Sequence, residues 1–239
     1  MGHTIANRSR PYHAGIAEEN RDVRIPPIGL SGTLRIPTAA HAIIAFAHGS
    51  GSSRLSPRNV AVANALNTQG IATLLFDLLT PAEESNRVNV FDISLLADRL
   101  IDAVRWLERD PLVSNLPLGL FGASTGAAAA LVVAAKLPDR IGAVVSRGGR
   151  PDLAGDSLKM VRAPTLLIVG GVDFGVIELN EEAFAKLQGP KALEIVPGAS
   201  HLFPEPGALE AVIGHAAHWF ERYLGRKPPE RADPATTPS

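Results

Sequence analysis

A chain of 239 residues, 46% hydrophobic and 20% charged, is long enough to bury its own core as one large domain without covalent staples. Its 23 Lys+Arg against 24 Asp+Glu leave a net charge of −1, which offers no electrostatic foothold to nucleic acid or an anionic membrane; the absence of cysteine excludes disulfides, thiolate zinc sites and a Cys nucleophile. No apolar run approaches the ~18 residues of a membrane span and no secretory apolar segment opens the chain, so a soluble, cytoplasmic protein is expected.

Residues 1–20 are polar and aperiodic and read as a flexible arm. A weak strand over 23–28 is interrupted by Pro26 and Pro27, which confines it to a sheet edge. Strands follow at 32–36 and 42–47, the second apolar throughout, as in a parallel strand covered on both faces. Residues 56–69 open with Ser-Pro and stop at Gly70, the start and stop signals of a helix. A strand at 71–76 leads into a polar loop over 77–91. The helix at 92–109 carries Ile93, Leu96, Leu100, Val104 and Leu107 on one stripe. Strands at 118–121, 143–146, 165–169 and 192–196 then alternate with helices at 125–137, 176–187 and 206–224, and 226–239, rich in Pro and charge, reads as a disordered tail. With no linker or repeat between the ends, residues 21–225 form one domain, and the alternation predicts a doubly wound α/β sheet.

Chemistry concentrates where a buried strand runs into Gly122-Ala123-Ser124-Thr125-Gly126 and straight on into a helix of small residues. This is G-x-S-x-G in the strand–turn–helix context that gives it meaning: a sharp turn projects the Ser124 hydroxyl, the glycines relieve crowding, and the helix N-terminus favours developing negative charge. A serine hydroxyl needs a base. Of the seven histidines, His201 alone lies in the loop directly after the last strand, at the sheet edge where Ser124 emerges, while His215 and His218 fall in the helix beyond. Asp173 ends the preceding apolar run, so the order Ser, Asp, His is that of an α/β-hydrolase triad; Asp152, Asp156 and Glu178 are weaker competitors. The oxyanion donors are assigned to the amides of Thr125 and Ser50, with Gly49 or Gly51 replacing Ser50 if the loop is shifted by one. Gly49-x-Gly51 with Asp77 downstream superficially resembles a dinucleotide fingerprint, but Arg54 stands at the third glycine position and the triad residues would be left idle. His215 and His218 have helical ligand spacing without a third ligand, so no metal and no cofactor are expected.

These segments, His48–Asn59, Leu74–Leu79, Gly122–Leu131, Ser146–Leu153 and the loops around Asp173 and His201, resemble the α/β-hydrolase superfamily in its lid-less dienelactone hydrolase-like branch. They resemble in particular a bacterial hydrolase domain found joined to a phosphoribosyltransferase. The resemblance spans 35–224 and implies a mostly parallel eight-stranded sheet with helices on both faces and a Ser124–Asp173–His201 triad. Dienelactone hydrolases proper use a Cys nucleophile; this chain has Ser124 instead, so their lactone specificity is not carried over.

Only residues 147–163 separate two strands where the superfamily inserts a cap, too few for a cap domain, which implies an open cleft and a small ester substrate. Arg54, Arg58, Arg147 and Arg150 fall at strand ends on the catalytic side. They are expected either to pair with Asp152, Asp77 or Glu83 or to recognise an acidic substrate group, with Gly49, Gly51, Arg54 and Arg147 as candidate substrate contacts. The expected activity is that of a serine carboxylesterase forming an acyl-enzyme from small or short-chain acyl groups. Its rivals are an acyltransferase with the same triad and a non-catalytic binding protein of the same fold.

Overall fold

The structure is a computed structural model that describes residues 18–225. Eight strands are found: β1 (Glu19–Ile25), β2 (Leu30–Ile36), β3 (Ala42–Ala47), β4 (Ile71–Phe76), β5 (Leu118–Ala123), β6 (Ile141–Arg147), β7 (Thr165–Gly170) and β8 (Lys191–Val196). They form one sheet in the order β1-β2-β4-β3-β5-β6-β7-β8. β1 and β2 form an antiparallel hairpin on the β4 edge, and every pairing from β4 to β8 is parallel. The chain leaves β3 for β4 on one side and returns to β5 on the other, so a crevice opens between the carboxyl ends of β3 and β5, where such sheets bind their ligands.

The central strands are buried at every position, which is why their sequences are apolar runs broken only by Thr73 in β4. Helices α1 (Pro57–Thr68) and α7 (Ala208–Leu224) cover one face. Val62, Leu66, Val212 and Phe220 cluster there with Phe46 and Phe121. The other face holds α4 (Ile93–Leu107), α5 (Thr125–Lys136) and α6 (Val176–Lys186), with Leu96, Leu100, Val104 and Leu131 packed on Leu120, Val144 and Leu167. Burying each of these side chains is worth about 1.5–3 kcal/mol.

Two expectations change. Strand β1 starts at Glu19, paired with Ile36, so Glu19 and Asn20 belong to the domain and not to the arm; residues 1–17 of the arm and the 226–239 tail lie outside the described residues. The stretch 77–91 is not a plain polar loop but carries α2 (Pro81–Glu84) and α3 (Arg87–Phe91). Helices of four and five residues are too short to show a period, yet Thr80-Pro-Ala-Glu83 is a capping box. The Thr80 amide donates to Glu83 Oε2 at 2.9 Å and the Glu83 amide to Thr80 Oγ1 at 3.2 Å. That amide bond, aided by Arg99 at 2.7 Å, holds the Glu83 carboxyl below its ordinary pKa. Between β6 and β7 the chain makes only a kinked 3-10 segment, Pro151–Met160, and no cap covers the crevice.

Candidate active site

β5 ends at the carboxyl rim and Ser124 turns the chain into α5 with φ 50° and ψ −122°. For a residue with a Cβ this region costs about 1–3 kcal/mol and persists only where neighbours enforce it. Here the Ser124 amide donates to the Arg147 carbonyl at 3.3 Å, and its own carbonyl accepts from the amides of Ala127 and Arg150, each at 3.1 Å. Although Ser124 occupies the N-cap position, its side chain caps nothing, so its hydroxyl is not consumed by the helix. The flanking glycine is demanded by close approach: a Cβ on Gly126 would lie 2.2 Å from the Ala47 carbonyl oxygen.

Asp173 and His201 are brought together by extending the β7–β8 pairing past the strand ends. The Gly171 amide donates to the Val196 carbonyl at 2.8 Å and the Val172 amide to the Ala199 carbonyl at 3.0 Å. The two side chains then meet, His201 Nδ1 to Asp173 Oδ2 at 2.7 Å. Of the competitors, Asp152 pairs with Arg150 and Asp156 with Lys159, while Glu178 sits in the first turn of α6. His201 and Ser124 border the same short stretch. The Arg147 carbonyl takes the Ser124 amide, and at the next residue a Cβ on Gly148 would lie 2.8 Å from the His201 carbonyl oxygen. Among the described residues no hydrogen bond joins Ser124 Oγ to the imidazole; in unliganded hydrolases that bond is often formed only as a carbonyl arrives.

The loop after β3 passes close to Ser124: a Cβ on Gly49 would stand 2.7 Å from Ser124 Cβ. The turn that follows is closed by the Ser52 amide donating to the Gly49 carbonyl at 3.2 Å, with Gly51 at φ 65°. The Ser50 amide, expected to face an oxyanion, donates to Thr125 Oγ1 at 3.0 Å, which ties this loop to the first residue of α5. The Thr125 amide, at the first helical position, has no intrahelical acceptor. His48, which sequence reasoning gave no role, supports the loop from beneath. Its Nε2 accepts from the Leu78 amide at 3.0 Å, which leaves Nδ1 as the protonated nitrogen donating to the Gly49 carbonyl at 3.0 Å. Burial lowers its pKa and keeps it neutral.

The four rim arginines divide. Arg54 contacts Asp77 twice, amide to Oδ1 at 2.8 Å and Nη1 to Oδ2 at 2.5 Å, the internal pairing expected as the alternative to a substrate contact. Arg150 is bidentate to Asp152 at 2.9 and 2.7 Å. Arg147, 5% exposed, has no carboxylate among the described residues; it reaches Asn59 Oδ1 at 3.4 Å and lies 6.0 Å from the centre of the Phe203 ring. Burial, with the like charge of Arg58 beside it, pushes its pKa down to about 10. Phe203 was also missed. Buried, with φ 56°, it closes the turn containing His201 through its amide bond to the Ser200 carbonyl at 3.1 Å.

A cleft of about 560 Å³ between Glu18 and Thr68 contains neither a serine nor a histidine and opens at the opposite end of the sheet. Beside the site two shallower clefts flank the 49–51 loop. One, of about 340 Å³, is lined by Ser50, Gly51, Glu84, Arg87, Val90 and Phe91; the other, of about 360 Å³, runs from Gly51 past Leu55 to Arg58 and Glu84. No described helix is long and apolar enough to cross a membrane.

Comparison with known proteins identifies the family and the fold. The profile of the Dienelactone hydrolase family matches residues 57–223. A Mycobacterium tuberculosis protein with a provisional phosphoribosyl transferase name is 57% identical over 209 residues, 87% of this chain and 47% of its own length; the chain thus spans about half of the curated relatives it matches. Among solved structures, dienelactone hydrolase from Anabaena variabilis is 54% identical with a TM-score of 0.82, over 89% of this chain and 100% of that one. Est1E from Butyrivibrio proteoclasticus shares the fold at 15% identity and a TM-score of 0.73, over 86% of this chain and 99% of that one. A lid-less serine hydrolase from Xanthomonas campestris shares it at 22% and 0.69, over 88% and 97%. The chain belongs to the dienelactone hydrolase family, hydrolase-type enzymes of the α/β-hydrolase fold.

Proposed function

We propose that the protein is a serine hydrolase of carboxylic esters with small or short-chain acyl groups, working through an acyl-enzyme. The observation that carries this is the Asp173–His201 bond at 2.7 Å on the rim that also bears the strained, uncapped Ser124. With Asp173 on Nδ1, His201 presents an unprotonated Nε2 as the base. Ser124 Oγ attacks the ester carbonyl carbon as its proton passes to Nε2. The Thr125 amide receives the oxyanion, and the Ser50 amide shares its proton between Thr125 Oγ1 and that oxygen. Collapse breaks the bond to the alcohol, which leaves with the proton from His201, and water then releases the acid by the same steps in reverse roles.

Substrate size follows from the missing cap and the modest clefts beside Ser50 and Gly51. Exposed Leu55, Val88 and Phe91 on one side of the rim, and Val172, Phe174 and Leu202 on the other, suit a short acyl or aryl group. No cofactor enters these steps. The test is a series of p-nitrophenyl esters of increasing acyl length with wild type and Ser124→Ala, alongside fluorophosphonate labelling. Turnover declining with acyl length, together with labelling that Ser124→Ala abolishes, is the expected result; turnover unchanged in Ser124→Ala overturns the mechanism. Adding methanol as a competing acceptor separates hydrolysis from acyl transfer.

A further inference from the structure

The carboxylates at the catalytic rim are distributed unequally. Asp77 neutralises Arg54 and Asp152 neutralises Arg150, while Arg58 and Arg147 form no ion pair with any described residue, and Arg147 reaches across to Asn59, the chain neighbour of Arg58. Arg147 is 95% buried and its Nε has no hydrogen-bond partner; Arg58 Nε is likewise buried and unpartnered. The buried Arg147 guanidinium loses hydration and the half-buried Arg58 adds a like charge, a cost that Asn59 and the face of Phe203 offset only in part. Arg58 stands in the first turn of α1, which contains no acidic residue, so the positive end of a 12-residue helix adds to the same field. Glu84 lines the cleft that Arg58 also lines and forms no ion pair with it.

We propose that Arg58 and Arg147 form a subsite for an anionic group, a carboxylate or a phosphate, carried by the ester substrate. The site adjoins the reacting centre through the backbone: the Arg147 carbonyl holds the Ser124 amide, and the ring beneath its guanidinium belongs to Phe203, two residues beyond His201. An anion there replaces the missing carboxylate with charge-assisted hydrogen bonds to both arginines. Discrimination between esters thus rests on an internal charge deficit and not on an apolar pocket.

This subsite rests on the esterase reading for its role but not for its existence, and the experiment separates the two. In the Ser124→Ala protein, calorimetric binding of acetate and inorganic phosphate is compared with neutral acetamide at low and high salt. Salt-sensitive anion binding that is lost on adding Arg58→Gln is expected. Turnover is then measured on 4-acetoxybenzoate and 4-acetoxyphenyl phosphate against neutral methyl 4-acetoxybenzoate, and on the 4-nitrophenyl hemiester of adipic acid against 4-nitrophenyl hexanoate. Wild type is expected to favour an anionic member over its neutral partner by about tenfold or more in kcat/KM, with that ratio falling to near unity in Arg58→Gln and Arg147→Met. Which anionic ester gains identifies carboxylate or phosphate. If Arg147→Met does not fold, Arg58→Gln decides alone. No preference in any pair, or a preference that survives Arg58→Gln, overturns the subsite. Absence of all ester turnover and of Ser124 labelling overturns the esterase reading, and the calorimetry still decides the anion site.

Discussion

Thr125→Val isolates one hydrogen bond at the centre of the site. Thr125 is 3% exposed and valine has nearly its shape, so the substitution removes Oγ1 and little else. What is lost is the acceptor that holds the Ser50 amide at 3.0 Å and so, on the proposed mechanism, positions the 49–51 loop over Ser124. Ser50 itself is exposed, so water can take up the freed donor and the stability cost stays near 1 kcal/mol, a fall in Tm of about 2–4 °C. Catalysis is more sensitive. Deleting an oxyanion donor outright costs about 10²–10³ in kcat, and leaving it unaimed is expected to cost about 30–100-fold, or ~2–3 kcal/mol of transition-state stabilisation. Thr125→Ser keeps the acceptor and should stay within about threefold of wild type. Steady-state kinetics on p-nitrophenyl butyrate, with thermal melts of all three proteins, make the comparison. A Thr125→Val enzyme with wild-type kcat would show that the Ser50 amide has no part in binding the oxyanion.

Gly126→Ala would force a Cβ to 2.2 Å from the Ala47 carbonyl and 2.5 Å from that of His48, a backbone clash expected to cost about 3 kcal/mol or more. Gly51→Ala meets nothing within 4 Å and carries only its φ of 65°, about 1–2 kcal/mol, so thermal melts should rank the two clearly. His48 supplies a pH dependence. Its folded pKa lies below 6.5, so as pH falls below 6.5 the unfolded state binds a proton that the folded state refuses, and stability is lost; above 6.5 the contribution is complete. His48→Asn should be less stable at neutral pH and lose less on acidification, as denaturant titrations at several pH values would report. Arg54→Gln removes an ion pair whose side chains are 29% and 20% exposed, worth about 1 kcal/mol and weaker in high salt. It should leave the preference between anionic and neutral esters unchanged, and a collapsed preference would return Arg54 to the substrate site.

Much of this architecture is legible along the chain because it rests on local signals. Largely apolar runs mark β3 to β7, and Ser56-Pro57 with Gly70 bounds α1. The elbow at Ser124 is readable because strand, crowded glycines and helix are contiguous in sequence. Helices α2 and α3 escaped because a period cannot be seen in four or five residues, although Thr80 and Glu83 wrote the cap of the first. Asp173 and His201 were found through their order and their place at strand ends, which only two elements in register could convert into a 2.7 Å contact.

What the linear sequence determined by itself is the set of chemical groups and the ends of the elements that bear them, since patterning and turn chemistry act over a few residues. Which charges are neutralised was decided in three dimensions. Arg54, Arg58, Arg147 and Arg150 are alike as letters, yet two meet carboxylates and two form no ion pair with any described residue. Likewise, that Thr125 holds the Ser50 amide depends on β3 lying against β5. Coulombic pairing and hydrogen bonding depend on distance, and distances between residues dozens of positions apart exist only once the sheet has assembled.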